Sequence, residues 1–292
     1  MSEQPRLRSV SCFRAEGFRR MVYWEWGNPH NKNVVLCVHG LTRNGRDFDW
    51  LARALSDRYR VICPDVLGRG QSDWLDDPAG YSYAHYLADM ATLIARSGAE
   101  TVDWIGTSMG GLIGMMLAVS DDSPIRRLVL NDVGAFIPKA AVERLQAYVG
   151  KDPTFPNQTE AERYLRVMYQ EFGDLTDEQW GHLTRNGMRL REDGLLSPAY
   201  DPAIAEVLNA QPAQDVVMWP LWDAVACPVL VLRGANSQLL LPETVGEMRK
   251  RGPGCEVEEF EGVGHAPALM DADQIHTIDV WLLDQDARDG EG

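Results

Sequence analysis

Runs of consecutive apolar residues, each ended by a turn residue, recur along this chain. A run that is apolar at successive positions, rather than at alternate ones, is typical of a strand covered on both faces in a parallel sheet. Between these runs, apolar residues recur at three- and four-residue spacing, as over 83–97, and predict amphipathic helices. The alternation predicts an α/β fold with a mostly parallel central sheet and helices on both faces. The predicted strands include NVVLCVHG, YRVICPDVLG, TVDWIGTS, IRRLVLND and CPVLVLRG.

The alternation stops between residues 136 and 224, where apolar positions follow helical spacing and no stretch resembles a buried strand. We therefore predict one α/β core domain formed by residues 1–135 and 225–292, with 136–224 as a helical insertion. The insertion carries several Trp and Met residues. These side chains either line a mainly apolar pocket or simply hold the insertion to the core. After a last helix over about 272–284, the tail is expected to fray.

Composition narrows the range of partners. The chain has 292 residues, and its 28 Lys and Arg against 43 Asp and Glu give a net charge of -15. Phosphate backbones and anionic membrane surfaces are repelled overall, so neither nucleic acid nor a membrane is expected as a partner. The five cysteines are odd in number and scattered, which indicates reduced thiols; no metal or other cofactor is expected. Because no apolar signal core or membrane-length run is present, we expect a cytoplasmic protein. Its expected state is a monomer or a homodimer.

One serine stands in a turn of small residues between two apolar runs, in the stretch DWIGTSMGGLIG. Gly106, Ser108 and Gly110 fit the pattern G-x-S-x-G, which by itself is weak. Its position after a predicted strand and before a predicted helix is the setting of a nucleophile elbow. A serine held in a strained turn needs neighbours without side chains, and the two glycines meet that need. The alternative is a serine that merely caps the helix.

Three further motifs follow predicted strands in the same way. His39 stands in HGL after the first buried strand, Asp65 in PDVLGRGQSD after the next, and His265 in GVGHAP after the last. Together with the serine turn, in this order and over nearly the whole length, these motifs resemble the α/β-hydrolase superfamily, in its serine-nucleophile, carboxylesterase-like branch. The resemblance implies that fold, an inserted cap and a small-molecule acyl substrate. Asp65 and Arg69 are expected to be structural.

The resemblance also implies roles that ordinary chemistry supports. Ser108 needs a base to take its proton before it attacks a carbonyl carbon, and His265 is the candidate because its small neighbours let the imidazole point at the serine. The oxyanion would be held by the backbone N–H groups of Leu41 and Met109. His39 would brace the oxyanion loop without transferring a proton.

The acid that orients the imidazole is absent from the turn where most of this family carries it, which here reads GANSQLLLPE. Glu243, the first carboxylate downstream, begins a helix, where an acid mostly complements the helix dipole. Some members carry the acid one strand earlier, and there IRRLVLND supplies Asp132. Because a carboxylate at the end of a buried strand is costly unless paired, we predict that Asp132 pairs with His265. A turn cap at Asp132, a Ser–His dyad and an inactive protein are the alternatives.

A serine nucleophile is typical of enzymes that react with an acyl carbon. We therefore predict hydrolysis of small or medium carboxylic esters, thioesters or lactones through an acyl-enzyme. The same residues would serve a C–C bond hydrolase acting on ring-cleavage diketones. A non-catalytic protein that binds a small ligand is the third reading. Arg43 and Asn44, two and three residues after the expected oxyanion donor Leu41, either contact the substrate or belong to a solvated loop.

Overall fold

A computed structural model describes residues 4–290. A sheet of eight strands forms the centre of this part of the chain. Its strand order is β1-β2-β4-β3-β5-β6-β11-β12, and two smaller sheets pair β7 with β10 and β8 with β9. In chain order the strands are β1 Arg6–Arg14, β2 Gly17–Trp26, β3 Val34–Val38, β4 Arg60–Pro64, β5 Val102–Thr107, β6 Ile125–Asn131, β7 Phe136–Ile137, β8 Met188–Leu190, β9 Leu196–Pro198, β10 Val216–Val217, β11 Val229–Gly234 and β12 Glu256–Phe260.

Helices separate the parallel strands, as the sequence pattern predicts. The long helix expected over 83–97 has these bounds in the structure, and the helix after the serine turn agrees to within two residues. In chain order the helices are α1 Asp49–Leu55, α2 Tyr83–Ser97, α3 Met109–Ala118, α4 Lys139–Tyr148, α5 Gln158–Met168, α6 Asp177–Gly187, α7 Ile204–Leu208, α8 Trp219–Ala224, α9 Pro242–Met248 and α10 Ala272–Gly290.

The large sheet is mostly parallel, because β3, β4, β5, β6, β11 and β12 pair in parallel while β1 and β2 join its edge in antiparallel fashion. Successive side chains of β3 enter two different cores: Leu36 packs with α2 and α3, whereas Val35 and Cys37 pack with α1 and α10. Both faces of the strand are therefore buried, which explains its unbroken apolar run. The predicted α/β fold is confirmed.

Residues 136–224 add no strand to the large sheet. They form five helices, α4 to α8, and also the four short strands β7 to β10, which the sequence pattern does not reveal. Two- and three-residue strands are too short to carry a period-2 signal, so helical spacing dominates the pattern. The tryptophans of this segment hold it to the core: Trp180 lies in one apolar cluster with Met270, and Trp222 donates its ring N–H to the backbone carbonyls of Met248 and Arg251.

The expectation of a frayed tail is wrong for residues 285–290, which continue α10. The reason is charge pairing with a buried arginine of β6. Arg127 is 1% exposed, and its guanidinium donates to Asp286 at 2.7 Å and to Asp289 at 2.5 Å. Since a buried cation without a carboxylate is costly, these two contacts stabilise the last turns of the helix. Residues 291 and 292 lie outside the described part of the chain.

Within residues 4–290, no helix combines the length and the apolar character that crossing a membrane requires.

Candidate active site

Ser108 lies in the turn between β5 and α3, with backbone angles that few residues other than glycine adopt, φ 51° and ψ -113°. Its neighbours make that turn sterically feasible. A Cβ on Gly106 would lie 2.3 Å from the carbonyl carbon of Gly110, and a Cβ on Gly110 would lie 1.9 Å from the carbonyl oxygen of Val38. Both glycines are therefore required by close backbone approach.

His265 follows β12 and reaches the serine turn with its side chain. Its Nε2 accepts a hydrogen bond from the Ser108 hydroxyl, with 3.0 Å between Nε2 and Oγ. On the other side of the ring, Nδ1–H donates to Oδ2 of Asp132 at 2.7 Å. The carboxylate can only accept, so it assigns the proton to Nδ1 and leaves Nε2 as the acceptor that faces the serine.

Asp132 directly follows β6 and is fully buried. Its carboxylate accepts three hydrogen bonds: from His265, from the backbone N–H of Gly234 at 2.9 Å, and from the hydroxyl of Ser237 at 2.5 Å. These donors compensate the burial of the charge. Sequence reasoning overlooked Ser237, although it stands in the turn where most of the family carries the acid; a hydroxyl there can serve a carboxylate that comes from the neighbouring strand.

Two backbone N–H groups beside Ser108 are available to a ligand. Within residues 4–290, neither the N–H of Leu41 nor that of Met109 donates a hydrogen bond to a protein acceptor. Gly40 places the Leu41 loop against the serine, since a Cβ added to Gly40 would lie 3.7 Å from Cβ of Ser108. Leu41 and Met109 border one cavity together with Ser108. This geometry suits two donors aimed at a developing negative oxygen.

Two buried side chains hold the Leu41 loop. His39 accepts a hydrogen bond from the N–H of Val66 at its Nε2 and donates from Nδ1 to the carbonyl of Gly40. Burial lowers the pKa of His39 to about 3, so the ring is neutral and has no role in proton transfer near neutral pH. Arg69, fully buried, donates from Nε to the carbonyl of Leu41 at 2.9 Å.

Asp65 has the structural role that the sequence predicts for it. Its carboxylate accepts hydrogen bonds from the backbone N–H groups of Gly45 and Gln71, at 2.8 and 2.9 Å. Burial raises the pKa of Asp65 to about 6, against the opposite effect of these hydrogen bonds. The side chain therefore ties two loops together below the site.

Arg43 and Asn44, the two possible substrate contacts predicted from the sequence, both form side-chain hydrogen bonds within the protein. Asn44 uses both ends of its amide within the protein: Oδ1 accepts from the N–H of Arg46, and Nδ2 donates to the carbonyl of Asn186. It is 2% exposed and caps the short 3₁₀ helix Gly45–Phe48, so its amide is occupied by protein partners. Arg43 borders a cavity at the site, but its guanidinium is engaged by the carboxylate of Asp47.

Two cavities meet at Ser108. The larger, about 510 Å³, is almost entirely apolar, and the smaller, about 230 Å³, carries polar and charged groups. Both are bordered by Ser108 and by leucines of the core and of the segment 136–224, namely Leu41, Leu145 and Leu239. The tryptophans Trp180, Trp219 and Trp222 border neither cavity, so the alternative that they hold the insertion to the core is the correct one.

Glu171, in the short 3₁₀ helix Gln170–Phe172, connects the inserted segment to the histidine loop. Its backbone carbonyl accepts from the N–H of Gly264 at 2.7 Å, and its carboxylate accepts from the N–H of His265 at 3.2 Å. Sequence reasoning did not find this residue, because an acidic residue in a helical segment has no distinguishing local signal.

The described residues contain no cluster of His, Cys, Asp and Glu side chains of a size that could hold a metal ion.

Comparison with known proteins agrees with the fold. The model of the alpha/beta hydrolase family matches residues 35–276. A 3-hydroxybutyrate-oligomer hydrolase of Cupriavidus necator is 48% identical over 283 residues, which cover 94% of this chain and 97% of the relative. The crystal structure of an alpha/beta hydrolase from Novosphingobium aromaticivorans has a TM-score of 0.85 at 37% identity, covering 96% of this chain and 98% of that chain. A 2-(acetamidomethylene)succinate hydrolase of Mesorhizobium japonicum is 26% identical over 80% of this chain and 81% of the relative. The chain thus belongs to the α/β hydrolase family.

Proposed function

We propose that this hydrolase cleaves carboxylic esters through an acyl-enzyme formed on Ser108. The observation that carries the proposal is the unbroken series of hydrogen bonds from Asp132 through His265 to the Ser108 hydroxyl, 2.7 and 3.0 Å long. This series of hydrogen bonds lies beside the backbone N–H groups of Leu41 and Met109, which have no protein acceptor among residues 4–290. A nucleophile, a base, an orienting acid and an oxyanion site are the four parts that acyl transfer by serine requires.

In the first half of the reaction, Ser108 Oγ attacks the ester carbonyl carbon while Nε2 of His265 takes the hydroxyl proton. The buried carboxylate of Asp132 stabilises the imidazolium that forms. The carbonyl oxygen becomes an oxyanion and accepts hydrogen bonds from the N–H groups of Leu41 and Met109. When the tetrahedral intermediate collapses, the ester C–O bond breaks and His265 returns the proton to the leaving alcohol.

In the second half, a water molecule replaces the alcohol. His265 takes a proton from this water as it attacks the acyl carbon, and the same two backbone N–H groups hold the second oxyanion. Collapse breaks the bond to Oγ, the carboxylic acid leaves, and His265 returns the proton to Ser108. The enzyme regains its starting state without any cofactor.

For the substrate we propose short oligoesters of 3-hydroxy acids, with simple short and medium acyl esters as surrogates. The proposal draws on the 48% identity to a 3-hydroxybutyrate-oligomer hydrolase over nearly the full length of both chains. It also draws on the two cavities at Ser108, because an ester in the middle of a chain needs room on both sides of the reacting carbon.

We further propose that residues 136–224 act as a cap over the reacting carbon. Val142 and Leu145 of α4 border the large cavity, and Tyr169 and Glu171 border the small one. A cap that supplies walls to both cavities excludes bulk water from the oxyanion site and strengthens its hydrogen bonds.

The first experiment is labelling with a fluorophosphonate probe, followed by peptide mapping. Wild-type protein should be modified at Ser108, and the Ser108→Ala variant should remain unlabelled although it folds. A series of nitrophenyl esters of increasing acyl length, and 3-hydroxybutyrate dimer and trimer, then define the substrate range. Absence of label on Ser108 would contradict the acyl-enzyme.

A second assay separates ester cleavage from carbon–carbon cleavage. Ester hydrolysis predicts nitrophenol release and no loss of dienol absorbance with a ring-cleavage diketone. Rapid loss of that absorbance without ester turnover would instead assign the site to C–C bond hydrolysis.

A further inference from the structure

The two cavities at Ser108 differ in chemistry as well as in size. The larger is walled by aliphatic, Met and Tyr side chains, among them Met109 and Leu112. The smaller is walled by Thr42, Arg144 and Glu171 in addition to apolar groups. An ester bound across Ser108 therefore has one apolar side and one polar side.

The position of His265 decides which side receives the leaving alcohol. His265 borders the small cavity and is absent from the wall of the large one, whereas Met109 borders only the large one of the two. The imidazole must deliver its proton to the leaving oxygen, so that oxygen has to lie on the His265 side of the reacting carbon. The acyl chain consequently occupies the large apolar cavity, and the alcohol occupies the small polar cavity.

The charged groups of the small cavity are not equally available to a ligand. Arg43 is engaged by the carboxylate of Asp47 through two hydrogen bonds, at 2.7 and 2.6 Å. Glu171 accepts a hydrogen bond from the N–H of His265. Arg144 forms no ion pair anywhere in the described part of the chain.

The guanidinium of Arg144 is also held in place. It donates through NH1 to the side-chain oxygen of Gln238, in the turn that follows β11. That hydrogen bond uses one of its five N–H groups and leaves the others free. The planar fork of an arginine matches a carboxylate, which it can bind through two parallel hydrogen bonds.

We propose that Arg144 selects esters whose leaving alcohol carries a carboxylate, that is, esters of a hydroxy acid with a free acid end. The assignment rests on the proposed ester hydrolysis at Ser108. The carboxylate binds Arg144 and does not react; the ester C–O bond breaks as described, and the product released first is the hydroxy acid. For an oligoester this means cleavage near the carboxyl end, with the rest of the chain in the large apolar cavity.

The test compares one substrate with and without its charge: 3-hydroxybutyrate dimer and its methyl ester at the carboxyl end. Rates are measured for wild type, Arg144→Gln and Arg144→Lys, with Arg163→Gln as the matched control. Arg163 is exposed on α5, pairs with Glu160 and borders neither cavity. Arg144 is exposed too, so its variants should fold, and circular dichroism checks that they do.

We expect Arg144→Gln to lower kcat/KM for the acidic dimer by about tenfold, mainly through KM, because one charge-assisted contact is lost at a partly solvated position. The methyl ester should change by less than about twofold, and Arg144→Lys should retain part of the preference. Added salt should reduce the preference of the wild type for the acidic dimer. Arg163→Gln should behave as the wild type.

Two results would overturn the assignment: equal loss with both substrates, or no loss with either. In both cases continued cleavage of the methyl ester and labelling of Ser108 would leave the proposed ester hydrolysis standing. If wild-type protein cleaves neither substrate and Ser108 is not labelled, the proposed function fails first and the role of Arg144 fails with it.

Discussion

Replacement of Asp132 by Asn changes one atom of the side chain and removes one charge. The carboxylate accepts from Gly234, Ser237 and His265, and an amide of the same shape can accept through one oxygen only. If that oxygen keeps the backbone N–H of Gly234, the amide NH₂ faces His265. The imidazole then has to accept at Nδ1, which places its proton on Nε2, facing the serine hydroxyl that it should deprotonate.

The magnitude follows from the lost charge and the wrong tautomer. With 2.7 Å between Nδ1 and Oδ2, the two charges are centred roughly 4 Å apart, which corresponds to about 4 kcal/mol at an effective dielectric constant of about 20. That is about a thousandfold in rate. In a serine protease the corresponding substitution lowers kcat by about 10⁴. We expect Asp132→Asn to lower kcat by roughly 10³ to 10⁴.

The assay is kcat on a nitrophenyl ester, together with the rate of fluorophosphonate labelling and a thermal unfolding curve. Glu243→Gln is the matched control, since it makes the same acid-to-amide change at an exposed residue in the first turn of α9. Gln238→Ala tests the turn where the acid is usually found and should leave the rate with neutral esters nearly unchanged. A folded Asp132→Asn protein with near-normal kcat would refute the role of Asp132.

Three further changes probe the surroundings of the site. Ser237→Ala removes one hydrogen-bond donor to Asp132. It should lower kcat about tenfold, because a hydrogen bond to a charged group contributes roughly 1.5 kcal/mol. An unchanged kcat with the same ester would show that Ser237 is dispensable. Gly110→Ala places a Cβ 1.9 Å from a backbone oxygen and should lower the free energy of unfolding by at least about 3 kcal/mol. An unaltered midpoint of unfolding in urea would contradict this close approach. His39 has a folded-state pKa of about 3, below the value of about 6.5 in the unfolded chain, so stability is lost as the pH falls from about 6.5 toward 3. Relative to His39→Gln, the wild type should therefore lose about 2 kcal/mol of unfolding free energy between pH 7 and pH 5, and a constant difference would contradict the buried neutral ring.

Local patterns predict much of the core. The run VVLCV is apolar at every position because alternate side chains enter two different cores, and burial on both faces is a property that the sequence records directly. The prediction that the tail frays is wrong, because the tail is held by a distant residue and a local pattern contains no information about such a contact. The partner of Asp286 and Asp289 is Arg127, more than 150 residues earlier in the chain.

The same limit applies to the site. Ser108 and His265 stand in short motifs with recognisable neighbours, and Asp132 follows from the family resemblance together with its place at a strand end. Ser237, Glu171 and Arg144 have no such motif. Each acquires its place through a contact with a distant segment, and the sequence around it is that of an ordinary turn or helix.

By itself, the sequence determined the order of strands and helices in the α/β core, the strained serine turn and the chemical groups that follow each buried strand, because these depend on residues within a few positions of one another. The tertiary structure decided which of those groups meet. Parallel strands end at one edge of the sheet, so β5, β6 and β12 bring Ser108, Asp132 and His265 together. It also decided that Asn44 is a cap, that the tryptophans are packing residues, and that Arg144 has no carboxylate partner within residues 4–290 at the polar side of the site.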